Sequence, residues 1–326
     1  MLLRDVGEFG LIHRVRQSNI YSPDWIIESI DDDAAVVQCS PGKRQVISTD
    51  ALVEGVHFNL AYTPLRSLGW KSLAASLSDL AAMGATPLCS VVSLSLPKTW
   101  TVDMADAFYE GYFACSKTFN CPLAGGDTTS SKDSAFINVT VFGEADPQKI
   151  FLRKGAQKGD LICVSGSLGR SKAALEILEG HYSKKGFENA MQHFLEPTPR
   201  FDLVTNPEIT KGITAMIDIS DGLISDLIHI CEASKVGCEI DLTKIPISEE
   251  AARWETGRNR DPKKEALHSG EEYQLLFTVH PQFYVRTEMD VQIIGTITDE
   301  QEGKNLRIDQ TLEPLVPGGW DHFSSH

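Results

Sequence analysis

Residues 73–84 read Leu-Ala-Ala-Ser-Leu-Ser-Asp-Leu-Ala-Ala-Met-Gly, and this stretch decides the fold of the first half of the chain. Its leucines recur at helical spacing, and Gly84 stands where a helix commonly ends. Short runs typical of β-strands precede and follow it, at residues 45–49 and 90–96. The strand–helix–strand order predicts an α/β fold in which Asp79 lies on the helix.

The chain is long enough for two domains, because 326 residues are about twice the length of a typical domain. Residues 144–160 concentrate proline, glycine and charge between two apolar runs, which is typical of a domain boundary. The second half opens with a strand-like run at 161–165, followed by a helical pattern. We therefore expect an N-terminal α/β domain at residues 1–149 and a C-terminal α+β domain at residues 150–326.

Composition and charge argue against several classes of protein. Hydrophobic residues make up 42% of the chain and charged residues 23%, which is the mix of a folded globular protein. A formal net charge of −15 argues against a general nucleic-acid binder, because such proteins need a cationic surface. The seven cysteines form no C-x-x-C pair, and no apolar run approaches the length of a membrane span. We expect reduced thiols and a cytoplasmic protein.

The two commonest phosphate-binding loops are absent from the sequence. None of the 25 glycines belongs to a G-x-x-x-x-G-K-[ST] or a G-x-G-x-x-G motif. Residues 166–169, Gly-Ser-Leu-Gly, lie between a predicted strand and a predicted helix and could present backbone amides to an anion. An ordinary turn is the better interpretation of this segment.

Acidic residues instead gather at the ends of apolar segments. They fall in Asp31–Asp33, Ser48–Asp50, Gly125–Thr129 and Asp218–Gly222. Loops at strand ends commonly carry binding residues, and carboxylates with neighbouring hydroxyls suit Mg²⁺ better than zinc. For any single aspartate, a helix cap or a turn is an equally good interpretation.

Ten short motifs, taken together, resemble one known family. In order they are Gly7-Glu8-Phe9, Asp32-Asp33-Ala34-Ala35, Ser48-Thr49-Asp50, Gly55-Val56-His57-Phe58, Ser78-Asp79-Leu80-Ala81-Ala82-Met83-Gly84-Ala85, Gly125-Gly126-Asp127-Thr128-Thr129, Arg153-Lys154-Gly155-Ala156, Asp218-Ile219-Ser220-Asp221-Gly222-Leu223, Ser269-Gly270-Glu271-Glu272-Tyr273 and Gly319-Trp320-Asp321-His322-Phe323. They resemble the thiamine-monophosphate kinase family over nearly the whole chain. That family shares a superfamily with aminoimidazole ribonucleotide synthetase and a hydrogenase maturation factor.

The resemblance implies an enzyme that transfers the γ-phosphoryl group of ATP to thiamine monophosphate, giving thiamine diphosphate. It also implies a homodimer in which N-terminal strands of two subunits form a β-barrel, with ATP and metal bound by the N-terminal domain. Several Mg²⁺ ions are expected, with ATP as co-substrate. No general base is expected, because the acceptor is a phosphate oxygen that is already ionised at neutral pH.

The resemblance also implies roles for particular residues. The implied metal ligands are Asp33, Ser48, Thr49, Asp50, Asp79, Asp127, Asp218 and Asp221. The implied nucleotide contacts are Tyr109, Gly126, Asp127, Arg153 and Ser220. The implied acceptor contacts are His57, Glu271 and Trp320.

The sequence departs from the family pattern at two places. Asp31 replaces a glycine and adds a negative charge beside the implied ligand Asp33. Residues 269–274, Ser-Gly-Glu-Glu-Tyr-Gln, replace the usual Gly-Gly-Glu-Asp-Tyr-Glu, which keeps Glu271 and lengthens its acidic neighbour Glu272. Two alternatives stay open: a synthetase or maturation enzyme of the same superfamily, and a nucleotide-binding protein without catalytic activity.

Overall fold

The computed structural model describes residues 11, 14–18, 23–28, 36–284, 290–316 and 318. These residues divide into two compact units. The N-terminal unit contains the described residues up to Leu80, together with Ala85–Ile150 and Leu195–Pro197. The C-terminal unit contains Ala81–Gly84, Phe151–Phe194 and the described residues from Thr198 onward.

The strands of the N-terminal unit form a short ladder and a four-stranded sheet. They are β1 (Ile26–Glu28), β2 (Val36–Val37), β3 (Arg44–Val53), β4 (Thr86–Pro97), β5 (Leu123–Ser131) and β6 (Phe136–Ala145). The strands β1 and β2 pair with each other, and the four-stranded sheet has the order β3-β6-β4-β5. Strand β6 is antiparallel to both β3 and β4, whereas β4 and β5 run parallel. The predicted mixed α/β architecture is confirmed for this half of the chain.

Two helices cover one face of this sheet, α1 (Leu65–Ala82) and α2 (Val102–Thr118). Ser76 of α1 donates a hydrogen bond to the backbone of β6, and Tyr112 of α2 donates one to Ser90 of β4. Helix α1 ends near the predicted residue, because Gly84 adopts φ 67°, a left-handed conformation that favours glycine. The helix therefore connects β3 to β4, as the sequence predicted.

Helices α1 and α2 touch through their backbones. A Cβ atom at Gly69 of α1 would lie 1.9 Å from the carbonyl oxygen of Phe108, and one at Gly111 of α2 would lie 1.7 Å from that of Arg66. Only glycine fits at these two positions, since any side chain would push the helices apart. The contact fixes where α1 lies against α2.

The C-terminal unit is built on a seven-stranded sheet. Its strands are β7 (Leu161–Ser165), β8 (Ile213–Asp218), β9 (Gly237–Asp241), β10 (Leu275–Val279), β11 (Val291–Thr298), β12 (Lys304–Ile308) and β13 (Thr311–Pro314), in the order β13-β12-β9-β11-β7-β10-β8. Every neighbouring pair is antiparallel except β12 and β9. All five residues of β10 are buried, and this strand lies between β7 and the edge strand β8.

Helices and two apolar clusters complete the C-terminal unit. The helices are α3 (Arg170–Glu179), α4 (Glu188–Leu195), α5 (Phe201–Val204), α6 (Pro207–Thr210), α7 (Leu223–Ser234), α8 (Glu249–Thr256) and α9 (Pro262–Ala266). The larger cluster joins apolar side chains of α7 to those of β7, β8 and β11. Within the described residues, no helix is both long and apolar enough to cross a lipid bilayer.

Candidate active site

Ser48, Asp50 and Asp79 form a group of polar side chains in the N-terminal unit, which we call the N-terminal carboxylate group. Ser48 and Asp50 lie two residues apart on β3, so their side chains point to the same face of the sheet. Asp79 lies on α1, which covers that face, and its carboxylate accepts a hydrogen bond from Ser48 Oγ. The local fold thus brings the β3 motif and the helix motif together, and Asp79 lies on the helix, as the sequence predicted. The sequence placed Asp50 at the end of its strand, but β3 continues to Val53.

The carboxyl of Asp50 is in an unfavourable place for a negative charge. Burial and, to a smaller extent, the negative charge of Asp79 raise the pKa of Asp50 to about 6, although a hydrogen bond from Ser76 opposes the shift. Its atom Oδ2 is buried and has no hydrogen-bond partner. A cation held between the two carboxylates would remove the repulsion and supply the missing partner.

Thr49 lies on the opposite face of β3. Its hydroxyl is 2.9 Å from that of Thr140 and 3.2 Å from the backbone oxygen of Val139, both on β6. The alternation of side chains along a strand therefore separates Thr49 from Ser48 and Asp50, although the three are consecutive in sequence.

The glycine-rich motif lies on β5, at the other edge of the same sheet. A Cβ atom at Gly126 would lie 2.1 Å from the carbonyl oxygen of Val92 on β4, so only glycine fits there. The next residue, Asp127, is exposed. Asp50 aligns with Gly126 across three strand spacings, about 14 Å within one chain. The sheet therefore holds Asp50 and Asp127 apart.

Asp218, Asp221 and Asp226 form a second group in the C-terminal unit, which we call the C-terminal carboxylate group. Asp218 ends β8 and is 4% exposed. Asp226 lies in the first turns of α7 and reaches back, so that its Oδ2 accepts hydrogen bonds from the amides of Asp221 and Gly222 at 3.3 and 3.2 Å. This contact holds the turn between β8 and α7, in which Gly222 has φ 122°.

Burial, together with the nearby charges of Asp218 and Asp221, raises the pKa of Asp226 to about 8. The two backbone hydrogen bonds favour the ionised form and oppose the shift. Asp226 was not a candidate from the sequence. The sequence did contain a signal for this role. Asp226 follows Gly222 by four residues, and an acidic side chain at that position can accept hydrogen bonds from the amides at the start of the helix.

The segment with the implied acceptor contact Glu271 lies against the turn of the C-terminal carboxylate group. The amide of Glu271 donates to the carbonyl oxygen of Ser220 at 2.7 Å, and the amide of Tyr273 donates to that of Ile219 at 2.9 Å. Glu271 and the implied nucleotide contact Ser220 are thus adjacent in the fold. The neighbouring Glu272 is fully buried, which the sequence did not predict.

Three further implied contacts have different surroundings. His57 accepts a hydrogen bond from the amide of Val53 on Nδ1, at 3.0 Å, so its other ring nitrogen carries the proton in the neutral form. Arg153 is exposed. Tyr109 is only 6% exposed and its ring packs against Phe108, and burial holds the pKa of its hydroxyl well above the usual value. The nucleotide role of Tyr109 stays a prediction.

Two implied site residues, Asp33 and Trp320, lie outside the described residues. Among the residues that are described, no group of three or more histidine, cysteine, aspartate or glutamate side chains is placed to hold a metal ion. The predicted metal ligands thus fall into separate pairs and small groups. The unpartnered Asp50 Oδ2 fits a hard cation.

Two family models cover most of the chain. The AIR synthase related protein, N-terminal domain, matches residues 31–145, and the AIR synthase related protein, C-terminal domain, matches residues 157–305. The two α/β units and their carboxylate groups are therefore those of an AIR synthase-related protein.

Comparison with similar proteins identifies the family within this class. The chain is 36% identical to the thiamine-monophosphate kinase of Aquifex aeolicus, over 99% of this chain and 100% of that protein. The crystal structure of the thiamine-monophosphate kinase from Stenotrophomonas maltophilia K279a matches with a TM-score of 0.81 at 34% identity, covering 94% of this chain and 96% of that one. The complex of AaThiL with AMPPCP and TMP matches with a TM-score of 0.79 at 34% identity, covering 99% of both chains.

The chain belongs to the thiamine-monophosphate kinase family, and it is an enzyme of the phosphotransferase class. The resemblance that the sequence motifs indicated is confirmed.

The raised pKa of Asp226 predicts how stability changes with pH in metal-free protein. Between pH 4 and about 8 the unfolded chain has this carboxyl ionised while the folded chain keeps it protonated, so stability falls as pH rises. Asp226→Asn removes the titration and keeps an oxygen for the two amides. We expect the variant to melt higher than wild type at pH 8, on the order of 5 °C or more, and the difference to close towards pH 4.

Thermal unfolding in chelator, from pH 4 to 8, measures this difference. Asp133→Asn, an exposed aspartate in the β5–β6 turn, is the control and should show no pH-dependent difference. A difference for Asp226→Asn that stays constant over the whole range would contradict the assignment of the titration to Asp226.

Proposed function

We propose that the protein phosphorylates thiamine monophosphate with ATP and forms thiamine diphosphate. The observation that carries this proposal is the similarity to AaThiL complexed with AMPPCP, an ATP analogue, and TMP, since that match covers 99% of both chains. The two carboxylate groups support a reaction in which phosphate charge must be neutralised. We also place the reaction in the cytoplasm, which suits a protein whose seven cysteines are all free.

The proposed reaction is a direct in-line transfer of the γ-phosphoryl group to a phosphate oxygen of the acceptor. That oxygen is already ionised at neutral pH, so no side chain has to remove a proton from it. The chain's contribution is to bind and orient the two anionic substrates. The proposed nucleotide contacts are Tyr109, Gly126, Asp127, Arg153 and Ser220, and the proposed acceptor contacts are His57, Glu271 and Trp320.

We further propose that the reaction depends on Mg²⁺. The ions would neutralise charge on the phosphates when bound. The proposed ligands are Asp33, Ser48, Thr49, Asp50, Asp79, Asp127, Asp218 and Asp221. The raised pKa of Asp50 and its unpartnered oxygen support this proposal, because a buried carboxylate without a partner binds a cation readily.

The active form is proposed to be a homodimer in which the N-terminal sheets of two subunits form a barrel. Strands β3 and β5 are the edges of the four-stranded sheet, and long open edges favour association. The face of this sheet opposite the helices exposes Ile47 at 55% and Phe136 at 39%. A second sheet would bury these apolar side chains.

Product analysis tests the reaction. Incubation with ATP, Mg²⁺ and thiamine monophosphate should give ADP and thiamine diphosphate in equal amounts, because one γ-phosphoryl group is transferred per acceptor. Free thiamine should be a poor acceptor, since it lacks the phosphate that the site neutralises. A mass spectrum of the products measures both. Phosphorylation of thiamine without any diphosphate from the monophosphate would contradict the proposal.

Single aspartate changes test the two carboxylate groups. Asp50→Asn and Asp218→Asn should each lower kcat by on the order of 100-fold or more, which is the loss found when one preorganised electrostatic group is removed from an active site. Steady-state kinetics at saturating Mg²⁺ measure this effect. Asp133→Asn is the control, because this exposed aspartate lies in the same unit as Asp50 and outside the proposed site. A normal kcat for Asp50→Asn or Asp218→Asn would remove that residue from the site.

Light scattering tests the dimer. The wild-type protein should have the mass of two 35.9 kDa chains at micromolar concentration. Ile47→Lys should shift it towards the monomer, because the buried sheet face would then contain a charge. Leu312→Lys is the control, since Leu312 is 50% exposed in the C-terminal unit. A wild-type protein that stays monomeric would contradict the proposed assembly.

A further inference from the structure

Glu272 is a fully buried carboxylate with an unusually complete set of donors on one oxygen. Its Oε1 accepts hydrogen bonds from the amide of Gly169 at 2.8 Å, the amide of Ser171 at 3.2 Å and the hydroxyl of Ser269 at 2.6 Å. The other oxygen, Oε2, lies 3.3 Å from His193 Nε2, outside the geometry of a hydrogen bond. Such a carboxylate is firmly fixed.

The two amides belong to the amino-terminal turn of helix α3. Free amides and the positive end of the helix dipole attract an anion to such a turn. The glycine turn at residues 166–169 was a candidate anion site in the sequence, and the chain itself fills it with Glu272. The turn therefore anchors a segment of the protein.

The segment that Glu272 anchors has a strained backbone. Glu271 has φ 56° and Tyr273 has φ 48°, so both neighbours of Glu272 occupy the left-handed region that ordinary residues rarely adopt. Such a conformation persists only where the surroundings enforce it. The buried bonds of Glu272, between the two strained residues, are such a constraint.

The same segment connects two proposed substrate contacts. Ser171 Oγ donates to the carbonyl oxygen of Glu271 at 2.8 Å, on the side of helix α3. On the other side, the amide of Glu271 donates to the carbonyl oxygen of Ser220. A Cβ atom at Gly270 would lie 2.8 Å from that same carbonyl oxygen, so the two backbones are in close contact. Displacement of Glu272 would therefore move the backbone of Glu271.

We infer that Glu272 is a positioning residue: with Ser269, it fixes residues 270–273 on helix α3 and so holds Glu271 in place for the acceptor. The inference rests on the proposed function for its acceptor, thiamine monophosphate. Glu272 itself touches no substrate in this assignment. Its effect reaches the reaction through the backbone of Glu271.

A matched control is available in the same unit. Glu250 is 9% exposed, and its carboxylate accepts hydrogen bonds from the amides of Asn189 and Ala190 at the start of helix α4. It is therefore a second buried glutamate that binds a helix amino terminus, but it belongs to α8, and these two hydrogen bonds go to α4 and not to residues 270–273. A purely structural effect of losing such a charge should be seen in both variants.

The experiment compares Glu272→Gln, Ser269→Ala and Glu250→Gln with wild type. Steady-state kinetics should show a three- to tenfold higher KM for thiamine monophosphate in the first two, with the KM for ATP and kcat within about twofold. Amide hydrogen exchange in a peptide covering residues 269–275 should be on the order of tenfold faster in both. Glu250→Gln should change neither quantity and should speed exchange only around α4.

Several results would overturn the inference. One is a wild-type KM together with wild-type exchange at residues 269–275 in Glu272→Gln. Another is an equal rise of KM in Glu250→Gln, which would make the effect one of general stability. If Glu272→Gln does not fold, Ser269→Ala decides by the same two measurements. If the wild-type protein does not use thiamine monophosphate, the proposed function fails, and hydrogen exchange alone supports or overturns the anchoring by Glu272.

Discussion

Repulsion between buried carboxyl groups is the constraint on which the rest of this structure depends. Asp50 faces Asp79 in one unit, and Asp226 faces Asp218 and Asp221 in the other. Folding without a cation therefore requires protons or hydrogen bonds to reduce the charge. The structure meets this need locally, with Ser48 and Ser76 in the first group and two backbone amides in the second. The energetic cost is concentrated where phosphate chemistry is proposed, as is common at active sites.

Local sequence signals predicted the framework of the N-terminal unit. The run at 45–49 lies inside β3, the run at 90–96 lies inside β4, and the helix with Asp79 is α1. Helix α1 begins earlier than its leucine pattern indicated, directly after Pro64. Proline favours the start of a helix because its missing amide has no partner to lose there. The pairing partners of the strands were not predictable, because pairing depends on residues far apart in sequence.

The candidate site was only partly predictable for a related reason. Motif resemblance indicated the residues that we propose as substrate contacts and metal ligands, and these are spread over both units. Asp226, Ser76 and Glu272 instead act on other residues of the chain, so their roles depend on contacts across the fold. Glu272 shows this most clearly: its neighbour Glu271 is a proposed acceptor contact, but two of its hydrogen-bond donors are the amides of Gly169 and Ser171, about one hundred positions earlier in the chain.

The glycine contact between α1 and α2 affects the position of Asp79, although it lies far from that residue along the helix. Gly69 precedes Asp79 by ten residues on one helix, a distance of about 15 Å along its axis. Since the two helix backbones touch at Gly69, a change in this contact would tilt α1 as a rigid helix about that point and would displace Asp79 on the same helix. The displacement of the Asp79 carboxylate grows with its distance from Gly69, so that even a small tilt of the helix moves it. A substitution at Gly69 or Gly111 should therefore behave like a change in the proposed site, although neither residue is a proposed contact of substrate or metal.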